Sequence, residues 1–549
     1  MVKTLTIKQN PINKLWSYMA DKGYTLYPYQ KTGVKWMLEK ETKSKLNGVN
    51  GGLLCDEPGL GKTIQTCACI HGNRSSTGDV KRTLLILPQA VVSQWVNAIT
   101  QIIPDAGIYM HLGNNRCRTT AELFNRNITG DWNIAITTFG MLYKRIKNCK
   151  DYLRQKTVLH SFTWDRIIID EIHYIRNPGS KTAKLACLLK ATHKWGLTGT
   201  PIQNSCKDLI SLYRFVGIPN KINSPPYLES LNKIYMKRRT KKMVEHLNSS
   251  LKLPTLFQEN IALEFASDEE RNIYSKIMKN VSNQFRDVLD NQFIQQREKM
   301  VIFFELLLRL RQVSIHPQLV INGYRKKFQK NFKNFPHISA KFKKIIELIN
   351  NCPDENCLVF CHFSEEIKIL GEHLSKNNIG WRKYDGSMNS KQREMVIQDF
   401  TYRGPVVDSV IAERLNEDTQ EHIQSFSPRV LLIQINAGGV GLNLQQFSKV
   451  FITSPNWNPS NEIQAIARAH RIGQKRPVTV YRFSLYDNKG EFSTIDERIC
   501  QVQTSKRNVM ADLLDDEELR YSGEINVDSI KSRKIVEQLG YNDMSSLLA

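Results

Sequence analysis

Short apolar runs of strand length recur along the chain, each followed by a stretch whose apolar positions repeat at helical spacing. They are LLIL (84–87), IAITT (134–138), RIIID (166–170), CLVF (357–360), VLLIQ (430–434) and VFIT (450–453). Strands alternating with helices imply parallel sheets covered on both faces, where strands read as continuous apolar runs. The runs fall into two groups, about 50–215 and 340–485. Between them lies a charged stretch of helical periodicity, including KIYMKRRTKKM (233–243) and YRKKFQKNFKNF (324–335). The pattern predicts two α/β lobes joined by a basic helical insertion. Within the second basic stretch, Tyr324, Phe328, Phe332 and Phe335 share one helical face, which reads as core packing. The lysines between them either track phosphate or are simply solvated.

Length agrees with two lobes, since 549 residues exceed what one core accommodates. With 41% apolar and 24% charged residues the chain is of the soluble globular class. No apolar run approaches the ~18 residues of a membrane-spanning helix. The first residues, MVKTLTIKQNPINKLW, lack a secretory apolar core. Seventy-seven Lys and Arg against 53 Asp and Glu leave a charge of +24, which suits a polyanionic partner such as nucleic acid. The eleven cysteines are scattered, as reduced thiols would be. Cys352, Cys357, Cys361 and His362 suggest zinc at first sight. CLVFC (357–361) instead reads as a buried strand, and the paired knuckles of zinc modules are missing.

GGLLCDEPGLGKTIQ (51–65) reads as strand, glycine loop and helix. Such a loop wraps a polyphosphate with backbone amides and a helix N-terminus. Gly59 and Gly61 permit the close approach, Lys62 would reach the β- and γ-phosphates, and the Thr63 hydroxyl would bind Mg²⁺. The general pattern has glycine six residues before the lysine, where this chain has Asp56. RIIIDEIH (166–173) ends an apolar strand in two carboxylates, at the sheet edge where α/β ligands bind. Asp170 would hold hydrated Mg²⁺ and Glu171 would polarise the attacking water.

These residues resemble the SWI/SNF-type ATPases of helicase superfamily two, over about 24–510. LYPYQKTGVKWM (26–37) resembles the family's opening segment, and the resemblance implies that Gln30 contacts adenine. DEPGLGKTIQ (56–65) is similar to its first ATP motif, so Asp56, Glu57, Pro58, Gly59, Leu60, Gly61, Lys62 and Thr63 are expected around the nucleotide. Pro58 stands where methionine is usual. LLILPQAVVSQW (84–95) and ITTF (136–139) resemble DNA-facing segments; DEIHYIRNPGSKT (170–182) and LTGTPIQN (197–204) resemble motifs two and three. The linking region also resembles the family's, at MKRRTKKMVEHLNSSLKLP (236–254) and LRLRQVSIHP (308–317). LVFCHFSEEIKIL (358–370), YDGSMNSKQREMVIQDF (384–400), INAGGVGLNLQ (435–445) and QAIARAHRIGQKRPVTVYRF (464–483) resemble the motifs of the second lobe. In the last, Gln464, Arg468 and Arg471 have the spacing of residues that reach the γ-phosphate from the opposite lobe. The bland alternative is a basic surface patch.

The resemblance implies two RecA-like lobes with a C-terminal helical brace, for which TIDERICQVQTSKRNVMADLL (494–514) is the candidate. The expected division is an N-terminal extension (1–20), lobe one (21–220), helical insertion and linker (221–335), lobe two (336–490), and brace and tail (491–549). It implies ATP and Mg²⁺ as cofactors, double-stranded DNA or chromatin as partner, no membrane, and a monomeric motor that translocates on duplex. KRRTKK also passes for a nuclear import signal. A nuclear location is expected, in a host nucleus or a cytoplasmic viral factory if the source is a virus. Compactness, with no segment long enough for a reader module, resembles family members encoded by large DNA viruses such as baculoviruses. Residues 401–428 form an acidic departure from the family, read as a surface excursion or partner contact. Two alternatives stand beside the translocase: a strand-separating helicase, and a DNA-binding transcription scaffold with a vestigial ATP site.

Overall fold

A computed structural model describes residues 11–42, 49–75, 78–128, 132–144, 151–218, 225–247, 253–400, 428–435, 442–514, 516 and 519. The acidic stretch 401–427, motif residues 436–441 and linker residues 248–252 lie outside these. The described residues form two compact units. One runs to Leu253 and includes Met510–Leu519; the other is Pro254–Val509.

The first unit holds β1 (Gly51–Leu54), β2 (Thr83–Leu87), β3 (Ile108–Met110), β4 (Ile134–Thr138), β5 (Thr163–Asp170), β6 (Lys190–Leu197) and β7 (Met236–Lys237). Every pairing is parallel, in the order β3-β4-β2-β5-β6-β1-β7. Asp170 pairs with Leu197 and Leu54 pairs with Leu197, so β5, β6 and β1 end in register. The loops that follow these three strands therefore leave the same sheet edge side by side, and this edge carries the site. Beneath it, Trp132, Phe162 and Trp164 cluster in the core, with the Phe162 and Trp164 rings 4.8 Å apart.

The second unit holds β8 (Leu256–Leu263), β9 (Cys357–Cys361), β10 (Trp381–Tyr384), β11 (Val430–Gln434), β12 (Lys449–Ile452) and β13 (Val478–Leu485). They form a second all-parallel sheet, β10-β11-β9-β12-β13-β8. Central β9 alternates between two cores: Cys357, Val359 and Cys361 face one, Leu358 and Phe360 the other. Both cysteines are thus apolar filling, and burial pushes the Cys357 thiol up to about 12.

The stretch 221–335 is not purely helical. It supplies β7 to the first sheet and β8 to the second, beside helices Asp268–Asp290, Gln296–Ile315 and Pro317–Phe328. The expected aromatic face on 324–335 is also corrected. Gln329 adopts a left-handed conformation (φ 51°) and stops the helix at Phe328. Phe335 is buried, whereas Phe328 and Phe332 are exposed.

Candidate functional site

In the first unit, β1 gives way to the loop 55–61 and then to helix Lys62–Gly72. Gly59 and Gly61 have φ of 95° and 78°, conformations that side chains disfavour. A Cβ on Gly61 would also lie 2.5 Å from Gln30 Nε2. The Lys62 ammonium donates to the carbonyls of Asp56 (2.7 Å) and Glu57 (3.3 Å), lying across the loop as a phosphate-reaching lysine must. Gln30 is buried against the same loop. Its Nε2 donates to Leu60 O at 3.2 Å and its Oε1 accepts from Tyr27 N at 3.1 Å. Tyr29 OH adds a second donor to Leu60 O, at 3.0 Å. Thr63 occupies the first turn of the helix.

Asp170 closes β5 and Glu171 begins the next turn with φ 50°, a strained setting for a non-glycine residue. Trp95 Nε1 donates to Asp170 Oδ2 at 2.8 Å. Burial, and then the adjacent Glu171 charge, push Asp170 up to about 6, against the opposing Trp95 bond and Lys62 charge. Such a pair of carboxylates beside a lysine lacks positive charge, and an oxygen donor set of this kind fits hydrated Mg²⁺. Glu171 Oε2 accepts from Thr198 Oγ1 at 3.3 Å and lies 3.1 Å from His173 Nδ1, which is itself 3.1 Å from Thr198 Oγ1. The residue that follows β6 therefore orients the acid that follows β5.

Three loop residues have side chains engaged by neighbours that the sequence did not reveal. The Asp56 carboxylate is fully buried and taken by Arg239, Nε to Oδ1 at 2.8 Å and Nη2 to Oδ2 at 2.5 Å. Glu57 Oε2 accepts from Lys241 N at 2.8 Å. Pro58 packs on Gly199, where a Cβ would come 2.6 Å from the proline ring. Arg239, read from sequence only as part of a basic linker, is thus a neighbour of the site.

In the second unit, Gln464 and Arg468 lie on helix Pro459–Ala469, capped by the Asn458 side chain on Ser460 N, and Arg471 follows its end. Gln474 fixes the turn, its Nε2 donating to Gln445 O (2.9 Å), Phe447 O (3.1 Å) and Ala469 O (3.2 Å). Burial, then the nearby Arg468 charge, lower the Arg471 pKa. Arg468 and Arg471 thus lie close enough for one to feel the other's charge. Each unit thus gathers its own set of expected residues: Gln30, Lys62, Thr63, Asp170 and Glu171 in the first, Gln464, Arg468 and Arg471 in the second.

The SNF2-related domain family matches residues 29–319, and the Helicase conserved C-terminal domain matches 340–473. The chain is 26% identical to the human SWI/SNF-related matrix-associated actin-dependent regulator of chromatin subfamily A member 1, over 87% of this chain and 43% of the relative. It is 26% identical to the DNA repair protein RAD5B of Arabidopsis thaliana (86% and 46%) and 27% to the human Helicase-like transcription factor (87% and 54%). The chain spans about half the length of the curated relatives it matches. Among solved structures, it is similar to the Sulfolobus solfataricus SWI2/SNF2 ATPase core in complex with dsDNA. That match has 24% identity, covers 92% of this chain and 98% of the other, and has a TM-score of 0.36.

Proposed function

The chain belongs to the SNF2-related family of SWI/SNF-type ATPases in helicase superfamily two, and from this we propose that it is a DNA-stimulated ATPase that translocates on double-stranded DNA. The observation that carries the reading is the glycine loop with Lys62 beside the Asp170–Glu171 pair, on one sheet edge. Thr63 and Asp170 would hold Mg²⁺, which supplies charge neutralisation when bound. Lys62 leaves its loop carbonyls for the β- and γ-phosphate oxygens. Glu171, aimed by Thr198 and His173, orients the attacking water and takes up its proton. Gln30 reads the adenine edge. Arg468 and Arg471 neutralise charge that builds on the γ-phosphate, a role worth about 10³–10⁵ in rate where an arginine finger serves it.

The charge of +24 suits a phosphate backbone contacted without sequence readout. Relatives named for chromatin regulation and DNA repair favour a nuclear role in remodelling protein–DNA complexes, in transcription, chromatin or repair. The test is phosphate release with duplex DNA by Lys62→Ala and Glu171→Gln. Both are expected to lose stimulated turnover by more than about 100-fold while DNA binding persists. Unchanged turnover in both refutes the site. Displacement of a triplex strand without fork unwinding supports translocation, and unwinding without triplex displacement supports a strand-separating helicase.

A further inference from the structure

A generic phosphate loop opens on glycine and owes its shape to that residue's freedom. Here Asp56 holds the position, six residues before Lys62, and is buried completely. We propose that Arg239 is a positioning residue of the nucleotide site, holding loop 55–61 in its phosphate-accepting shape through Asp56. This rests on reading that loop as the ATP site.

The segment 237–241 lies along the loop and fastens it residue by residue. Cys55 N donates to Lys237 O at 2.7 Å, Glu57 N to Arg239 O at 3.0 Å, and Lys241 N to Glu57 Oε2 at 2.8 Å. Between these, the Arg239 fork grips both Asp56 oxygens. Its remaining donors reach Gln65 Oε1 at 2.9 Å, on the helix after the loop, and the Tyr29 carbonyl, on the helix that carries Gln30. Gln65 Nε2 returns a bond to Asp56 Oδ2 at 3.0 Å. One guanidinium thus ties together the loop, the phosphate helix and the adenine helix. Room for it comes from Gly33, where a Cβ would lie 2.0 Å from Gln65 Oε1 and 2.7 Å from Arg239 Nη2.

The consequence runs through the backbone. The Asp56 carbonyl is the acceptor that Lys62 Nζ meets at 2.7 Å, so the peptide on which the lysine docks is fixed by the carboxylate clamp. Without its cation, a buried carboxylate must protonate or turn out toward water. Turning out rotates that peptide and moves the lysine with it. Charge alone does not suffice, because a single ammonium cannot serve two carboxylate oxygens, Gln65 and the Tyr29 carbonyl at once.

The test is equilibrium binding of the fluorescent analogue mant-ADP to the full chain. Arg239→Met is expected to weaken binding about tenfold, and Asp56→Asn in that background to restore it to within about threefold of wild type, a non-additive pair. In turnover, the loss falls mainly on the KM for ATP rather than on kcat. Should Arg239→Met fail to fold, Arg239→Lys carries the test, with weakening of about threefold or more, again relieved by Asp56→Asn. Wild-type affinity in the folded Arg239 variant, or additivity in the double variant, overturns the inference. Lys62→Ala separates the two levels. If it binds mant-ADP as the wild type does, the nucleotide site itself is misread and the inference falls with it. If Lys62→Ala loses binding while the Arg239 variant keeps it, only the role of Arg239 falls.

Discussion

Replacing Glu41 by Gln tests whether the site's scaffold is held by one buried ion pair. Glu41 lies in the last turn of the helix Pro28–Thr42 that carries Gln30. Arg166 lies on β5, four residues before Asp170. Both side chains are fully buried, and the guanidinium meets the carboxylate through Nε–Oε1 at 2.6 Å and Nη2–Oε2 at 2.5 Å. Trp195 Nε1, on β6, donates to Oε1 at 2.8 Å, and Asn73 Nδ2 to Oε2 at 2.6 Å. One carboxylate therefore joins the helix that carries Gln30 to both strands, which lead into the turns at Asp170–Glu171 and Thr198. Burial alone would raise Glu41, but the Arg166 charge and bonds outweigh it and hold the group at about 2 instead of 4.5. At ~1.4 kcal/mol per tenfold, that gap corresponds to about 3–4 kcal/mol. The same range, about 3–5 kcal/mol, is typical when one partner of a buried pair is removed. Because the folded value is the lower one, the stabilisation is complete above about 4.5 and is lost as pH falls toward about 2.

Urea unfolding followed by intrinsic fluorescence reads this directly. Six of the eight tryptophans (Trp16, Trp36, Trp95, Trp132, Trp164 and Trp195) lie in the first unit. At pH 7 the midpoint of that transition should fall by about 1 M in Glu41→Gln, for a slope of about 2–3 kcal/mol per molar. The difference from wild type should narrow as the pH drops below about 4.5. A midpoint shift under about 0.2 M at pH 7, or one independent of pH, would refute the reasoning.

Three further outcomes follow from the same geometry. Gly199→Ala forces a Cβ to within 2.6 Å of the Pro58 ring. It should raise the KM for ATP and destabilise the first unit by about 1–3 kcal/mol, both measurable in the assays above. Glu171→Gly relieves a φ of 50° but gives up the Thr198 and His173 contacts, so it should abolish turnover and lower the urea midpoint less than Glu171→Ala, which gives up the same contacts without relief; a larger loss in Glu171→Gly would contradict strain there. Lys341→Met leaves buried Asp496, bonded at 2.5 Å in the wild type, without its cation. It should cost the second unit about 3–5 kcal/mol, seen as faster amide exchange along β12 and β13 and reversed by Asp496→Asn.

Much of the fold was legible because strands buried on both faces leave uninterrupted apolar runs, as at 84–87, 167–169 and 357–361. The turn between β1 and the following helix was legible because Gly59 and Gly61 take left-handed backbone that other residues disfavour. β6 escaped notice because KATHKWGL interleaves polar residues with core positions such as Trp195. β8 escaped because, at the sheet edge, it exposes much of LFQENIAL, Phe257 included. The end of a helix at Gln329 had no signal, since nothing about glutamine announces a left-handed turn. The Asp56–Arg239 pair joins residues 183 positions apart, a distance over which one sequence shows no pattern. Its trace was an aspartate where the motif wants glycine, together with an unexplained basic run at 237–242.

The central claim is tested most directly by ATP turnover of the purified chain, compared across duplex DNA, single-stranded DNA, RNA and nucleosomes, with Glu171→Gln as the reference. The account expects stimulation by duplex DNA or nucleosomes well above that by RNA, falling steeply with salt, and none in the variant. Turnover that ignores every nucleic acid, or that survives in Glu171→Gln, would contradict it.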